Sequence, residues 1–297
     1  MIITNKFNLP QPVMTAILND EYSRGAADIS VTSLWKPARI VALEEQYSSE
    51  VSIDASKLTL SLFGRAMHEF LARRTIDVAA ENRLYMQREG WIISGQIDRA
   101  DLLHGGIEDW KFTTAYVVQK LSRFSEWEEQ LNTYAHIARE NGFTPKYLRV
   151  YAFVRDWSES EALRTPGYPQ VPFIAIDLNL WTPEEAELKI CARIREQQAA
   201  RETLPLCTPE ERWQRPDKYA VMKTGRKSAV KLFDFPTEAD NFISQQRDSK
   251  QLYVEHRPGI SMRCSRYCPV GASGLCSQWN NDPQRPQGEL DAQLPEI

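Results

Sequence analysis

Two aspartates and a lysine near the middle of the chain have the types and spacing that could bind a metal ion. The stretch ISGQIDRADLLHGGIEDWKF predicts two strands joined by a turn at 104–106, with Asp98 ending the first strand. Asp109 and Lys111 lie two residues apart on the second strand, so they share one face. A hairpin would bring Asp98 close to Asp109, and a hard divalent cation would neutralise the converging carboxylates. The lysine could then orient a water and stabilise charge on a phosphoryl group.

The same pattern is also typical of ordinary surface residues, because aspartates at strand ends and lysines on exposed strands are common. Glu108 is the neighbour of Asp109, but side chains alternate along a strand, so it should face the other way. We therefore do not assign Glu108 to the metal. Glu81, ahead of the strands, fits either a further acidic position of the site or a solvated charge.

Two predicted helices flank these strands and carry three further polar residues. The range 58–74 has helical periodicity and carries His68. A second helix is predicted over 125–142, opened by a serine–glutamate capping box and closed by a glycine. Gln130 and Tyr134 lie four residues apart on it and share a face. The order along the chain is Gly-x-x-x-His, Gly-x-x-Asp, Asp-x-Lys and Gln-x-x-x-Tyr.

This ordered set resembles the RecB-like branch of the PD-(D/E)xK nuclease superfamily, and the motifs cover about residues 58–160. The resemblance implies an α/β, restriction-endonuclease-like fold, in which a mixed central sheet is flanked by helices. It also implies that the chain hydrolyses DNA with Mg²⁺ or Mn²⁺ and leaves 5′-phosphorylated products. The residues that it implies are the metal ligands His68, Asp98 and Asp109, the catalytic Lys111, and the supporting Gln130 and Tyr134.

Four of the five cysteines could form a separate metal site. Cys264, Cys268 and Cys276 cluster near the C-terminus, and Cys207 is the best candidate for a fourth ligand. Cys191 falls inside a predicted helix and is interpreted as a small buried apolar residue. The iron–sulfur, CRISPR-associated-exonuclease-like branch of the family resembles this arrangement and implies a 4Fe-4S cluster. Its upstream cysteine often precedes the histidine helix, which is not so here, and zinc or free thiols remain alternatives.

A basic segment is predicted to contact DNA. Between 212 and 231 there are seven basic residues and one acid, a net of +6 in a chain of net charge −4. Lys223, Arg226 and Lys227 lie in the turn of a predicted hairpin, and Trp213 and Tyr219 are interleaved with the basic residues. Positive charge with aromatic residues suits single-stranded DNA. The alternative is a solvated hairpin whose lysines protect exposed strand edges.

The chain is predicted to have three parts: a nuclease domain at 1–203, a β-β-α module with the cysteines at 204–279, and a disordered tail at 280–297. No apolar run approaches the length of a membrane span, and no signal peptide is recognisable, which predicts a cytoplasmic protein. The amino-acid sequence of 206–234 resembles phage and prophage proteins. We therefore expect an exonuclease in phage DNA processing or recombination, with DNA as its substrate and a recombinase or helicase as a partner. The alternative is a non-catalytic DNA-binding or adaptor protein.

Overall fold

The computed structural model describes residues 1–19, 25–74, 79–120 and 123–285. Contacts divide the chain into two compact units. The first, called the sheet unit here, comprises Ile3–Ala42 and Asp54–Leu204. The second, called the cysteine unit, comprises Met1–Ile2, Leu43–Ile53 and the chain from Pro205 onward. The predicted tail lies mostly outside the described residues.

The described residues contain eleven strands and eleven α-helices. The strands are β1 (Ile2–Thr4), β2 (Ile29–Ser30), β3 (Ser52–Asp54), β4 (Ala79–Arg88), β5 (Trp91–Asp101), β6 (Gly106–Thr113), β7 (Tyr147–Val154), β8 (Phe173–Leu178), β9 (Lys218–Lys223), β10 (Lys231–Phe233) and β11 (Leu252–Arg257). The helices are α1 (Gln11–Leu18), α2 (Val31–Leu34), α3 (Ala38–Gln46), α4 (Thr59–Ala72), α5 (Ala115–Lys120), α6 (Phe124–Glu140), α7 (Glu159–Arg164), α8 (Pro183–Glu202), α9 (Pro236–Ser244), α10 (Pro269–Ala272) and α11 (Ser277–Asn280).

The sheet unit is built on a six-stranded mixed sheet flanked by helices, as the family resemblance implies at this level. β5 pairs antiparallel with β4 along its length and with β6 near its end. β6 then runs parallel to β7, and β7 runs antiparallel to β8. The short β2 lies parallel to β5. One prediction here is wrong, because Asp98 does not end its strand: β5 continues to Asp101.

α6 is the central helix of this unit. Every residue from Leu131 to Ala138 is buried, and the helix packs on apolar side chains of the sheet such as Ile93 and Leu148. The predicted capping box is wrong, because α6 begins at Phe124 and so places the serine inside the first turn, without a side-chain cap in the described structure. Its end is as predicted, since Gly142 has a φ of +84° just after the helix, which favours glycine.

The cysteine unit contains a three-stranded antiparallel sheet in the order β10-β9-β11, with α9 packed beside it. The predicted hairpin is confirmed by the pairing of β9 with β10. The predicted β-β-α order was incomplete, because β11 follows the helix and pairs with β9 along six residues. β1 and β3 form a separate two-stranded sheet. Within the described parts of the chain, no helix combines the length and the apolar character that crossing a membrane requires.

Candidate active site and cysteine site

The two aspartates of the predicted site meet where β5 and β6 separate. The last paired residues are Arg99 and Glu108, and the next two positions along the strands are Asp98 and Asp109. Asp98 Oδ2 accepts a hydrogen bond of 2.9 Å from the backbone N–H of Trp110, which fixes its carboxylate against β6. Asp109 is buried, with only 2% of its surface exposed. The hairpin thus brings these carboxylates together as predicted, from the interior of β5 rather than from its end.

Lys111 connects the carboxylates to α6. Its Nζ lies 2.7 Å from Asp109 Oδ2 and donates a hydrogen bond of 3.0 Å to Gln130 Oε1. Gln130 Nε2 in turn donates to the Tyr134 hydroxyl at 2.9 Å. Burial, and after it the negative charge of Asp109, raises the pKa of Tyr134, so this phenol stays neutral. The predicted Asp109, Lys111, Gln130 and Tyr134 therefore form one continuous polar chain.

His68, on α4, lies beside Asp98 of the same site. Its Nδ1 lies 3.2 Å from Asp98 Oδ1, and its Nε2 lies 3.1 Å from the carbonyl oxygen of Trp110. The imidazole thus lies between the Asp98 carboxylate and the backbone of β6. All six residues of the predicted active site belong to this neighbourhood, although α4, β5, β6 and α6 each supply only one or two of them.

The electrostatics of the site favour a bound cation. Burial raises the pKa of Asp109 to about 6, the charge of Asp98 adds to this, and Lys111 opposes it. The contact between Lys111 and Asp109 Oδ2 lacks hydrogen-bond alignment, so this buried oxygen has no hydrogen bond from the described residues. A buried carboxylate beside a second one is costly unless a positive charge is shared between them. Carboxylates are donors that suit Mg²⁺ and Mn²⁺, and the His68 imidazole lies beside them.

Glu108 faces the opposite side of β6, as the alternation of the strand predicts. It is only 1% exposed, forms an ion pair with Arg99 and accepts a hydrogen bond of 2.7 Å from the Tyr147 hydroxyl. Its charge is therefore compensated away from the aspartates. Glu81 is the other acidic candidate, and its side chain lies outside the described residues.

Two motif glycines have different local surroundings. A Cβ added to Gly95 would lie 2.8 Å from Cδ1 and 2.9 Å from Cε1 of Tyr134, which is closer than such atoms approach. Because Gly95 has no Cβ, the Tyr134 ring can pack directly against β5. A Cβ on Gly64, in α4 one turn before His68, would meet no described atom within 4 Å.

The four cysteines of the predicted site all belong to the cysteine unit, and none of the five cysteines forms a disulfide. A π-helical turn at Arg263–Tyr267 separates Cys264 from Cys268, closed by a 2.8 Å bond from the Cys268 N–H to the carbonyl of Arg263. Gln278, which is far from Cys207 in the sequence, fixes the backbone of that cysteine. The Cys207 N–H donates to Gln278 Oε1 at 2.8 Å, and Gln278 Nε2 donates to the Cys207 carbonyl at 2.9 Å. This amide is a supporting residue that the sequence analysis missed.

The thiols of this group affect one another. Burial, then the charge of Glu211, and after it the nearby Cys264, Cys276 and Cys268 raise the pKa of Cys207 to about 12. Burial and the same kind of neighbours raise the pKa of Cys264 to about 11. Such thiols cannot all ionise unless a metal compensates their charge. Cys191 belongs to the sheet unit instead, and it is buried as predicted.

The basic hairpin is less positive than its sequence suggests. Lys223 pairs with Asp248 at 2.6 Å, and Arg212 pairs with Asp282 at 2.9 Å. Both acids lie outside the segment that was counted, as does a third acid, Asp234, which pairs with Lys218. Three of the seven basic residues therefore have acidic partners, and the local net charge is nearer +3 than +6.

The two aromatic residues of that segment are partly covered. Trp213 packs edge-on against Tyr267, and the guanidinium of Arg263 lies 4.1 Å from its ring centre. Tyr219 stacks on His256 with 5.1 Å between the ring centres. Arg226 and Lys227 are exposed in the turn of the hairpin. Of the predicted DNA contacts, these two are the most accessible.

One group of potential metal ligands was not predicted. His136, Glu140 and Glu187 offer donor atoms that all lie within 4.8 Å of one another. In the described part of the chain, neither the aspartate site nor the four cysteines meet that criterion. The sequence signal was the four-residue step from His136 to Glu140 on one helix, but the third ligand comes from another helix far along the chain.

No known family model matches this chain, and no curated protein matches it either. Among solved structures, one described as "Crystal structure of SSO0001" is similar, with a TM-score of 0.46 and 13% sequence identity. The matched region covers 64% of this chain and 85% of that one. Similarity at this level does not bear on the activity.

Proposed function

We propose that this chain is a divalent-metal-dependent DNA nuclease of the RecB-like PD-(D/E)xK type, with a restriction-endonuclease-like fold. It hydrolyses phosphodiester bonds as an exonuclease in phage or prophage DNA processing. The observation that carries the proposal is the position of Lys111, with its Nζ 2.7 Å from Asp109 and 3.0 Å from Gln130. A surface lysine would not be held between a buried carboxylate and a buried helix.

His68, Asp98 and Asp109 would hold the Mg²⁺ or Mn²⁺ ion. Their fit to a cation is supported by the buried Asp109 Oδ2, which lacks a hydrogen bond from the described residues, and by the second carboxylate beside it. When bound, such an ion lowers the pKa of a coordinated water and neutralises the phosphate.

The protein's own groups supply the rest of the chemistry. Lys111 presents a positive charge beside the carboxylates, where it can orient the attacking water and stabilise the phosphoryl oxygens. Gln130 holds the Lys111 ammonium from the far side, and the neutral Tyr134 hydroxyl fixes the Gln130 amide. The Trp110 N–H keeps one oxygen of Asp98 engaged, so that the other faces His68.

The test is cleavage of end-labelled single- and double-stranded DNA with Mn²⁺. We expect Asp109→Asn and Lys111→Ala to abolish product, because each removes one charge of the site. Asp177→Asn is the matched control, since Asp177 is an exposed carboxylate on β8 that pairs with Arg149. Activity in either site variant equal to that of the control would overturn the proposal. DNA binding without cleavage by the wild type would favour the adaptor alternative.

We also propose that Cys207, Cys264, Cys268 and Cys276 bind an iron–sulfur cluster, of the 4Fe-4S type. Zinc bonds of 2.3 Å at tetrahedral angles would put neighbouring sulfurs about 3.8 Å apart. The four cysteines affect one another electrostatically, yet among the described donors they form no group within 4.8 Å. A cluster suits this wider spacing, because each thiolate binds a different iron.

The iron–sulfur proposal is tested on anaerobically purified protein by visible absorbance and by iron and sulfide analysis. We expect a coloured protein with iron, and loss of both in Cys207→Ser and Cys268→Ser. Cys191→Ser is the control, because Cys191 lies in the other unit and should leave the iron content unchanged. A colourless protein that contains one zinc per chain would contradict the iron–sulfur assignment in favour of zinc.

The exposed turn of the basic hairpin is proposed to contact the DNA backbone. Each lost phosphate contact lowers the slope of log K against log salt by about 0.7 for single strands. Arg226→Ala and Lys227→Ala should each do so, whereas Lys223→Ala should have less effect because Asp248 already pairs with Lys223. A salt titration of DNA binding measures the three slopes. Unchanged slopes in Arg226→Ala and Lys227→Ala would refute the contact.

A further inference from the structure

A cluster of charged residues on α6 and α8 lies outside the proposed active site and has no role in it. His136 and Glu140 are one turn apart on α6, and Glu187 reaches them from α8. His136 Nε2 lies 2.9 Å from Glu187 Oε2 and 3.9 Å from Glu140 Oε1. Both helices belong to the sheet unit and pack against each other.

The imidazole of His136 is the least satisfied member of this cluster. Its side chain is only 8% exposed, and neither ring nitrogen makes an aligned hydrogen bond with the described residues. Burial lowers the pKa of His136, and Glu187 opposes that shift. An imidazole nitrogen 2.9 Å from a carboxylate oxygen without hydrogen-bond alignment is an arrangement that two ligands of one metal ion adopt.

The spacing and the donor types indicate which ion would fit. Zinc bonds of about 2.1 Å to nitrogen and oxygen place neighbouring tetrahedral donors about 3.4 Å apart. The observed 2.9 and 3.9 Å lie on either side of that value. The Cys191 thiol donates a hydrogen bond of 3.4 Å to Glu187 Oε1 and so supports that carboxylate, but it is not one of the three donors. An imidazole donor favours zinc over the harder Mg²⁺ or Ca²⁺.

In this structure the positive charge beside Glu187 and Glu140 is supplied by Arg88. Its Nε donates to both oxygens of Glu187, at 2.8 and 3.0 Å, and its Nη2 pairs with Glu140. It is the last residue of β4, and its side chain is 28% exposed, so it can turn into solvent. A divalent ion with His136 as a further ligand would replace one positive charge by two.

We propose that His136, Glu140 and Glu187 form a zinc site in the sheet unit, for which Arg88 is the competing cation. Zinc there would join α6 to α8 and release Arg88 from the two carboxylates. The site is separate from the proposed nuclease site, and its test does not depend on nuclease activity.

The experiment measures zinc binding by calorimetry and by metal analysis after dialysis, in the full chain carrying Asp109→Asn. This background weakens binding at the proposed catalytic site, and zinc bound by the cysteines is common to all variants. We expect Glu140→Gln and His136→Gln to bind one zinc fewer per chain. Glu185→Gln, a matched carboxylate on α8 that pairs with Lys189, should bind the same number. Arg88→Met should keep the number and bind about tenfold more tightly, because its competing ion pairs are gone.

Circular dichroism without zinc shows whether each variant is folded. Glu140 has a partly exposed side chain, so its variant remains informative if the buried His136 variant unfolds. The same zinc number in Glu140→Gln and in the background chain would overturn the proposal. Unchanged or weaker binding in Arg88→Met would also overturn it, because Arg88 would then not be a competitor.

Discussion

Replacing Gly95 with alanine should destabilise the protein and displace the chain of hydrogen bonds that holds Lys111. The new Cβ would lie 2.8 Å from Cδ1 and 2.9 Å from Cε1 of Tyr134, and 3.1 Å from Cγ2 of Val31. Tyr134 is 5% exposed on the central helix, so its ring has little room to move. Overpacking of this kind costs about 1–3 kcal/mol of the free energy of unfolding.

Urea denaturation followed by tryptophan fluorescence measures this cost, and Gly64→Ala is its matched control. Gly64 lies within α4, where an added Cβ has open space, so alanine should stabilise by about 0.5–1 kcal/mol. Nuclease activity should fall in Gly95→Ala, because a shifted Tyr134 moves Gln130 away from Lys111.

A double-mutant cycle identifies the side chain that is responsible for the cost. Tyr134→Val removes both ring atoms that the new Cβ would meet, so most of the cost of Gly95→Ala should disappear in that background. A Gly95→Ala protein as stable as the wild type would refute the reasoning. An undiminished cost in the Tyr134→Val background would also refute it.

Three further changes test other contacts. Burial raises the pKa of Asp101, but hydrogen bonds from the turn that follows it prevail and lower that pKa from 3.8 to about 2. This carboxylate therefore stabilises the fold above pH 4, and that stabilisation is lost as the pH falls towards 2. In Asp101→Asn, the free energy of unfolding measured by urea denaturation should depend less on pH in that window. Gln130→Ala should lower kcat more than it changes KM, because it frees the Lys111 ammonium, and equal KM and kcat effects would contradict this. Gln278→Ala removes both bonds to the backbone of Cys207 and should lower the iron content of the purified protein, so full iron occupancy would contradict the supporting role.

The helices and strands of the candidate site, and the residues that they carry, could be predicted from local patterns in the sequence. Helical spacing predicts α4 and α6, and alternation places Asp109 and Lys111 on one face and Glu108 on the other. These are properties of residues a few positions apart, and backbone geometry converts such spacing directly into direction. The ordered motifs were readable for the same reason, because each of them spans five residues or fewer.

Contacts between residues that are distant in the sequence could not be predicted and became visible in the folded chain. β11 pairs with β9 from about 30 residues away, and the acids that neutralise Arg212 and Lys223 lie outside the segment whose charge was counted. The end of β5 was also misplaced, because pairing with β4 and β6 extends that strand to Asp101. Local patterns carry no information about such partners.

The group at His136 gives the clearest physical reason. Its three members come from two helices, and only packing brings Glu187 within 2.9 Å of His136. Burial lowers the pKa of that imidazole, and exclusion of water makes its missing hydrogen bonds costly. Residue types and spacing were therefore sufficient to predict the candidate nuclease site. The group at His136 was found only from distances and burial in the folded chain, because Glu187 is far from the other two residues in the sequence.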